Sequence, residues 1–295
     1  MQKITPFLWF EKNMKEITDF YLSVFPGAMV RSDGALSDTP SGAVEMATLT
    51  LYGQAFNLMT AGPYLPFRPT VSFIVSCEDA NEFDELWNKL SATGKILMEL
   101  DVYPFAEKYG WVQDQYGVSW QLLYSTTMKA PQKITPTLMF AGDVCGRAKE
   151  AVDFYTSIFH NSSVDYVNEY DGSESVNEPR AKTKHAGITI ENYHIALMDS
   201  GRISPLSFEQ AISFVVTCED QAEVDYYWDK LTEGGKEVQC GWLSDKFGFP
   251  WQVVPRQMTE MLSKGTKEQI ARVTEAFMKM KKFDIKTLQE VFDEQ

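Results

Sequence analysis

The chain is 295 residues long and carries 27 Lys and Arg against 41 Asp and Glu, a formal charge of −14. That balance excludes nucleic acid and anionic lipid as main partners, because both demand a basic face; the acidity by itself means solubility. The length exceeds one ordinary domain, so two are expected. No apolar run approaches the roughly 18 residues of a membrane span. The start, MQKITPFLWF, lacks the long apolar region of a secretory leader, so the expected compartment is the cytoplasm. Cys77, Cys145, Cys218 and Cys240 form no CxxC pair, which points to reduced structural thiols rather than zinc.

In chain order, ITPFLWF at 4–10 is a short run of apolar and β-favouring residues, hence a strand. MKEITDFYLSVF places Ile17, Phe20, Tyr21 and Val24 at helical spacing and is closed by Pro26-Gly27. EMATLTLYG and QAFNLMTAG make a hairpin broken near Gly53, and TVSFIVSC the next strand. EDANEFDELWNKLSATG predicts a helix that ends at Gly94. Two strands complete the first half, the last being VSWQLLY. The plan is strand, helix, strands, run twice.

The second half repeats the first. ITPFLWF returns as ITPTLMF at 134–140, ITDFYLSVF as AVDFYTSIF at 151–159, and VSFIVSCEDANEFDELWNKL as ISFVVTCEDQAEVDYYWDKL at 212–231. QYGVSWQLLY at 115–124 returns as KFGFPWQVVP at 246–255. The offset grows from 130 at Ile4/Ile134 to 141 at Phe73/Phe214 and falls to 131 at Gln121/Gln252. The first half therefore holds an extra segment, ILMELDVYPFAEKYG, where the second has EVQCG, and such loop differences are where function concentrates. After Pro255 the periodicity is helical, interrupted at Gly265 and Asp284, and predicts two or three helices packed on the second module.

Paired strand-helix-strands passes ending in Asp-x-x-Gly-x-x-Trp-Gln resemble the vicinal-oxygen-chelate (glyoxalase/bleomycin-resistance/dioxygenase) superfamily. The nearest branch is the PhnB-like one, labelled 3-demethylubiquinone-9 3-methyltransferase. The resemblance is carried by ITPFLWF, DFYLSVFPG and DQYGVSWQ, by ITPTLMF, DFYTSIF and DKFGFPWQ, and spans about residues 3–255. It implies an α+β fold of two tandem modules, each of two βαβββ units forming a curved mixed-sheet cup, at 1–128 and 133–256. A helical tail follows at 257–295. It also implies that the modules face each other as an internal pseudo-dimer, with room for a further homodimer.

The resemblance further implies a divalent metal in each cup, held by His, Gln or Glu of the first, fourth, fifth and eighth strands. Those positions fall here on Pro6, Asn57, Thr70 and Gln121, and in the second module on Pro136, Ala196, Ala211 and Gln252. Proline offers no side-chain donor atom, and a carboxamide is a neutral, weak ligand that cannot act as a base. The expectation is therefore no metal ligand set and no cofactor, or at most a weakly held divalent ion. Gln121 and Gln252 would hydrogen-bond a ligand or a neighbouring strand instead.

The first cup, with Asn57, Thr70 and Gln121, is the expected ligand site. The longer segment would be its lid, and Trp9, Phe10, Tyr103, Phe105 and Tyr109 its apolar walls. No catalytic residue is assigned. His185 and His194, in KHAGITIENYHIALMD, are read as surface or cross-strand residues rather than metal ligands. No phosphate loop and no GxGxxG turn occurs, so methyl transfer is not expected despite the family's label. The leading reading is a small-molecule-binding protein. The alternatives are a lyase, isomerase or dioxygenase-like enzyme, and a scaffold whose cups are both filled.

Overall fold

The computed structural model describes residues 2–11, 13–39, 42–62, 65–172 and 176–294, without the side chains of 37 and 38. Four βαβββ units follow one another. The first holds β1 (Ile4–Phe10), α1 (Met14–Val24), β2 (Met29–Thr39), β3 (Gly42–Leu51) and β4 (Gln54–Thr60). The second holds β5 (Val71–Cys77), α2 (Ala80–Ser91), β6 (Lys95–Tyr103), β7 (Ala106–Gln113) and β8 (Ser119–Tyr124). The third holds β9 (Ile134–Phe140), α3 (Ala148–Ile158), β10 (Ser163–Glu169), β11 (Thr183–Ile190) and β12 (Tyr193–Asp199). The fourth holds β13 (Ile212–Cys218), α4 (Gln221–Thr232), β14 (Lys236–Glu237), β15 (Trp242–Ser244) and β16 (Pro250–Pro255), and the tail is α5 (Arg256–Lys264), α6 (Lys267–Phe277) and α7 (Ile285–Asp293).

Local chemistry explains the repeats. The twice-written Cys-Glu-Asp ends a strand and caps a helix: Asp79 accepts the N–H groups of Asn81 and Glu82 before α2, and Asp220 accepts that of Glu223 before α4. Glu82 and Glu223 reach back to the N–H of Glu78 and Glu219, closing each cap. The extra segment of the first half is the β6–β7 hairpin; EVQCG leaves only the two-residue β14 and three-residue β15 in its place.

The units combine across the modules, which differs from the expected arrangement. One sheet runs β14-β15-β16-β13-β1-β4-β3-β2 and the other β10-β11-β12-β9-β5-β8-β7-β6. The first unit thus shares a sheet with the fourth, and the second with the third. No cup belongs to the first module alone. The seams are antiparallel pairs, β1 with β13 from Ile4↔Val216 to Leu8↔Ile212, and β5 with β9 from Val71↔Leu138 to Val75↔Ile134. Half-buried ion pairs repeat on either side: Lys3 to Glu223 at 2.5 Å and Lys133 to Glu82 at 2.7 Å. The tandem chain is an internal pseudo-dimer joined through both sheets.

Each sheet has one helix-covered face. α1 and α4 pack on the first sheet, α2 and α3 on the second. These faces turn toward one another and share a single core, in which Phe56 of β4 meets Phe73 of β5 edge-on at 5.3 Å. The opposite face of each sheet is free of these helices. The tail has its own small core of Met261, Val273, Phe277, Phe283 and Leu288, resting on Cys240 and Val254 of the second module and also on Leu36 of β2. No helix among the described residues is long and apolar enough to cross a membrane.

The Asp-x-x-Gly-x-x-Trp motif locks the units of each module together. Asp114 accepts the N–H groups of Tyr116 and Val118, the indole N–H of Trp120 at 2.9 Å and the hydroxyl of Tyr21 of α1 at 2.8 Å. Asp245 repeats this with Phe247, Phe249, Trp251 and Tyr155 of α3. Both carboxylates are buried. Removing one leaves four donors without their acceptor, so Asp114→Ala or Asp245→Ala is expected to cost about 3 kcal/mol or more in urea unfolding.

Burial pushes both carboxyls up to about 6, against the pull of their donors. A folded value above the unfolded one means that the native chain binds the proton more tightly. This contribution therefore grows as pH falls through 6 toward 3.8 and is lost as pH rises back through 6. Urea midpoints at pH 5 and 7 should show it in the native chain, and the slope should flatten in an Asp114→Asn/Asp245→Asn double variant.

Residues 1–128 alone expose β1 and β5, each without its seam partner. Light scattering of that fragment should give a dimer or an unfolded chain. A stable folded monomer would contradict the seam.

Candidate functional site

Strand alternation sends successive side chains to opposite faces, so the Trp-Gln step points two ways. Trp120 enters the core against Phe25 and Phe73, and Gln121 faces the helix-free side of the second sheet. Gln121 is only 5% exposed and both ends of its amide are engaged. It gives Nε2–H to Ser72 Oγ and accepts the Tyr109 hydroxyl on Oε1, both at 2.7 Å. Gln252 repeats half of this, giving Nε2–H to Ser213 Oγ at 3.0 Å.

The register defines a row of neighbours across this face of the second sheet. From β8 outward it runs Ser119, Ser72, Thr137, Ala196, Gly187 and Tyr166, each cross-paired with the next. Five consecutive strands thus contribute small side chains. Beside it lies a second row, Trp111, Gln121, Ile74 and Thr135. Trp111 takes this face by pairing with Gln121, while its neighbour Gly110 faces α2, where a Cβ would lie 2.4 Å from the ring of Trp87.

Three of the nine buried side-chain polar atoms without a hydrogen-bond partner among the described residues lie on this surface. Trp111 Nε1, Ser119 Oγ and Thr137 Oγ1 are buried and have no hydrogen-bond partner among the described residues. Native chains seldom leave such groups unpaired, and each costs on the order of 1–3 kcal/mol. At the edge of the same sheet the β6–β7 hairpin carries an aromatic cluster: Tyr103, Phe105 and Tyr109 lie with ring centroids 5.2–5.6 Å apart, and Phe105 is 45% exposed. The lid-like segment is therefore an ordered hairpin whose Tyr109 is tied to Gln121.

The first sheet carries larger side chains on the same face. Its corresponding row is Ser213, Phe7, Asn57, Thr48 and Arg31. Where the second sheet has Thr137, Ala196 and Gly187, it has Phe7, Asn57 and Thr48. Phe7 packs edge-on against Trp242 at 5.5 Å, and Trp9 packs on the same indole at 5.9 Å.

The residues singled out in the sequence are therefore divided. Gln121, Tyr103, Phe105 and Tyr109 come together in the second sheet. Thr70, just before β5, is buried there and gives its hydroxyl to the carbonyl of Ser207 at 3.2 Å. Asn57, Trp9 and Gln252 lie together in the first sheet. Phe10 takes the helix-covered face against Tyr21, Phe67 and Tyr116, so it is a core residue and not a cup wall. Pro6 and Pro136 pair with Phe214 and Phe73 and likewise share the core-facing phase; the residues of those strands that face the cups are Phe7 and Thr137. Trp111, Ser119, Thr137 and Ser72 were not singled out, because only the cross-strand register brings them together.

The sequence matches the family described as 3-demethylubiquinone-9 3-methyltransferase twice, over residues 2–123 and 132–254. The chain belongs to that family. A PhnB protein of Bacillus cereus carrying the same description is 37% identical, over 42% of this chain and 100% of its own, with a TM-score of 0.38. Glyoxalase I of Zea mays is 14% identical, over 86% of this chain and 92% of its own, with a TM-score of 0.55, and shows the common glyoxalase-like fold. No curated protein matches the chain.

The divalent metal implied by the vicinal-oxygen-chelate architecture does not fit the donors here. The second sheet offers Thr70, Ala196 and a Gln121 whose amide is already shared between Ser72 and Tyr109. The first offers Asn57, Ala211 and Gln252. No group of three His, Cys, Asp or Glu residues among those described could hold an ion. Neutral amide and hydroxyl oxygens without a carboxylate or imidazole make a poor set for a divalent cation.

Three substitutions test the unpaired groups. Trp111→Phe, Ser119→Ala and Thr137→Val each remove a buried polar atom that has no protein partner. Ser119→Ala and Thr137→Val should leave the ligand-free chain as stable or raise its stability by up to about 1 kcal/mol in urea unfolding, whereas Trp111→Phe also gives up buried ring volume and should rank below them. Tyr109→Phe, which strips Gln121 of a donor, should lower stability by about 1 kcal/mol.

Proposed function

We propose that this protein binds a small organic molecule in the cup of the second sheet, without the family's metal. The observation that carries this reading is the set of three buried, unpaired polar atoms of Trp111, Ser119 and Thr137. They lie on one sheet face with a row of small residues, beside an aromatic cluster on the edge hairpin. Mostly apolar walls with a few convergent polar groups are what small-molecule sites require. The first sheet differs at the same positions, with Phe7 and Trp9 packed against Trp242.

Methyl transfer, the activity in the family's description, is not carried over to this chain. Its four βαβββ units and helical tail include no glycine-rich strand-to-helix turn of the cofactor-binding kind.

Thr137→Phe tests the reading by giving the second sheet the residue that fills the first. Small neutral compounds should be found that raise the melting temperature of the native chain, and the variant, folded to the same extent, should lose the response. Plasma mass spectrometry should find no stoichiometric metal in either. Compounds that stabilise both proteins equally would move the site elsewhere, and a stoichiometric divalent metal would overturn the metal-free reading.

A further inference from the structure

The row of small residues ends at Gly187 and Tyr166, and a polar cluster surrounds that end. β10 is irregular there: Val164 pairs with Ile188 and Tyr166 with Gly187, so Asp165 is an extra residue. Such a bulge re-aims a side chain, and bulges gather beside functional sites. Asp165 Oδ2 lies 2.8 Å from Nδ1 of His194 and accepts the Thr189 hydroxyl at 2.9 Å, while its Oδ1 accepts Ser163 Oγ at 2.9 Å. Alongside, the Tyr166 hydroxyl is 2.8 Å from His185 Nδ1.

Gly187 makes this crowding possible. A Cβ there would stand 2.5 Å from the Tyr166 ring and 2.9 Å from His194 Cε1. His194 is 5% exposed. A carboxylate only accepts, so Nδ1 at 2.8 Å from Asp165 is the protonated nitrogen. In the neutral ring Nε2 is then an acceptor, and it has no partner among the described residues. Burial holds His194 below its ordinary value against the pull of Asp165, and burial together with His194 lowers His185 to about 4. Burial thus favours the neutral form of both rings.

His194 pairs with Thr189 on β11, and continuing the β12–β9 register places it beside Thr135, the end of the row that starts at Trp111 and Gln121. Three strand spacings separate it from Gln121, about 14 Å along the sheet. The two rows contain no Lys or Arg, and the one carboxylate at their end disfavours an anion. Their flanks are the flat rings of Tyr109, Trp111, Tyr166 and His185.

We propose that His194 Nε2 accepts a hydrogen bond from the hydroxyl of an uncharged, planar ring compound lying across the small-residue floor, with Asp165 as the positioning residue that fixes the ring's tautomer. This rests on the cup reading given above.

Matched probes test it on the full chain: 2-naphthol, its methyl ether 2-methoxynaphthalene, and 2-naphthoate. Binding is followed by calorimetry and the imidazole nitrogens by 15N NMR. The expected result is that 2-naphthol binds about tenfold more tightly than the ether and moves the His194 Nε2 resonance, which the ether leaves in place; the naphthoate binds weakest. His194→Gln should weaken 2-naphthol about tenfold and leave the ether unchanged. Asp165→Asn should weaken 2-naphthol severalfold and shift the His194 nitrogens toward a mixture of tautomers, a change that a purely structural carboxylate would not produce. Thr137→Phe should exclude both neutral probes.

Equal affinities for the alcohol and the ether, or unchanged 2-naphthol binding in His194→Gln, would overturn the role of His194 and leave the cup standing. Failure of all three probes to bind the native chain would overturn the cup and this inference together.

Discussion

Everything in this molecule depends on two buried carboxylates. Asp114 and Asp245 each gather four donors: two backbone N–H groups of a tight loop, one indole and one phenol from a helix. A buried carboxylate is tolerable only when its lone pairs are met, and here both oxygens are used. The loop cannot shift without breaking these bonds, so the strand that follows starts in a fixed phase. Trp120 and Trp251 enter the core and Gln121 and Gln252 take the other face. The glutamines are oriented by an aspartate seven residues earlier that never approaches the cup.

The carboxylates also solve a problem that the strand pairing creates. The sheets join the first unit to the fourth and the second to the third, so no sheet holds the two units of one module together. Within a module that task falls to the shared core and to the Asp–Tyr contacts, which run from the β7–β8 loop to α1 and from the β15–β16 loop to α3. The two kinds of link close a ring: sheet, carboxylate, sheet, carboxylate. The pseudo-two-fold repeats even in the ion pairs at the seams, Lys3–Glu223 and Lys133–Glu82. A scaffold so symmetric leaves divergence to the few positions that the core does not constrain, and these lie on the outer faces of the two sheets.

Much of this was legible in the sequence, for identifiable reasons. The doubled segments gave the modules, and apolar spacing gave α1 to α4, because helix period and strand alternation are local properties. The family resemblance rested on the same segments. β2 was missed because MVRSDGALSDT has no apolar alternation; its pairing with β3, not its composition, makes it a strand. The exchange of units was invisible because periodicity shows which face of a strand is buried and not which strand lies beside it. Pro6 and Phe10 were placed on the cup for a related reason: counting along a motif does not fix the strand's phase, and a step of one residue reverses the face. The candidate site was read from donor atoms, which drew attention to Asn57 and away from Ala196. In the folded chain Ala196 and Gly187 make the small-residue row of the second sheet, and Asn57 stands in the corresponding row of the first.

The comparison of the two faces bears on which one was kept for a ligand. Had neither been needed, the economical outcome for both would be that of the first sheet, where Phe7, Trp9 and Trp242 pack on one another and no polar atom of the row is left buried and unpaired among the described residues. The scaffold can reach that state, since it has done so once. On the second sheet the same positions hold Thr137 and Ser119 with unpaired hydroxyls, an unpaired indole N–H at Trp111, and a glycine that admits the Tyr166 and His194 rings. Unpaired buried donors lower stability, and their simplest repair is a single substitution of the kind already present at Phe7. Three such groups share one face, beside an ordered hairpin that the other module has lost, and a molecule bound there would satisfy all of them at once.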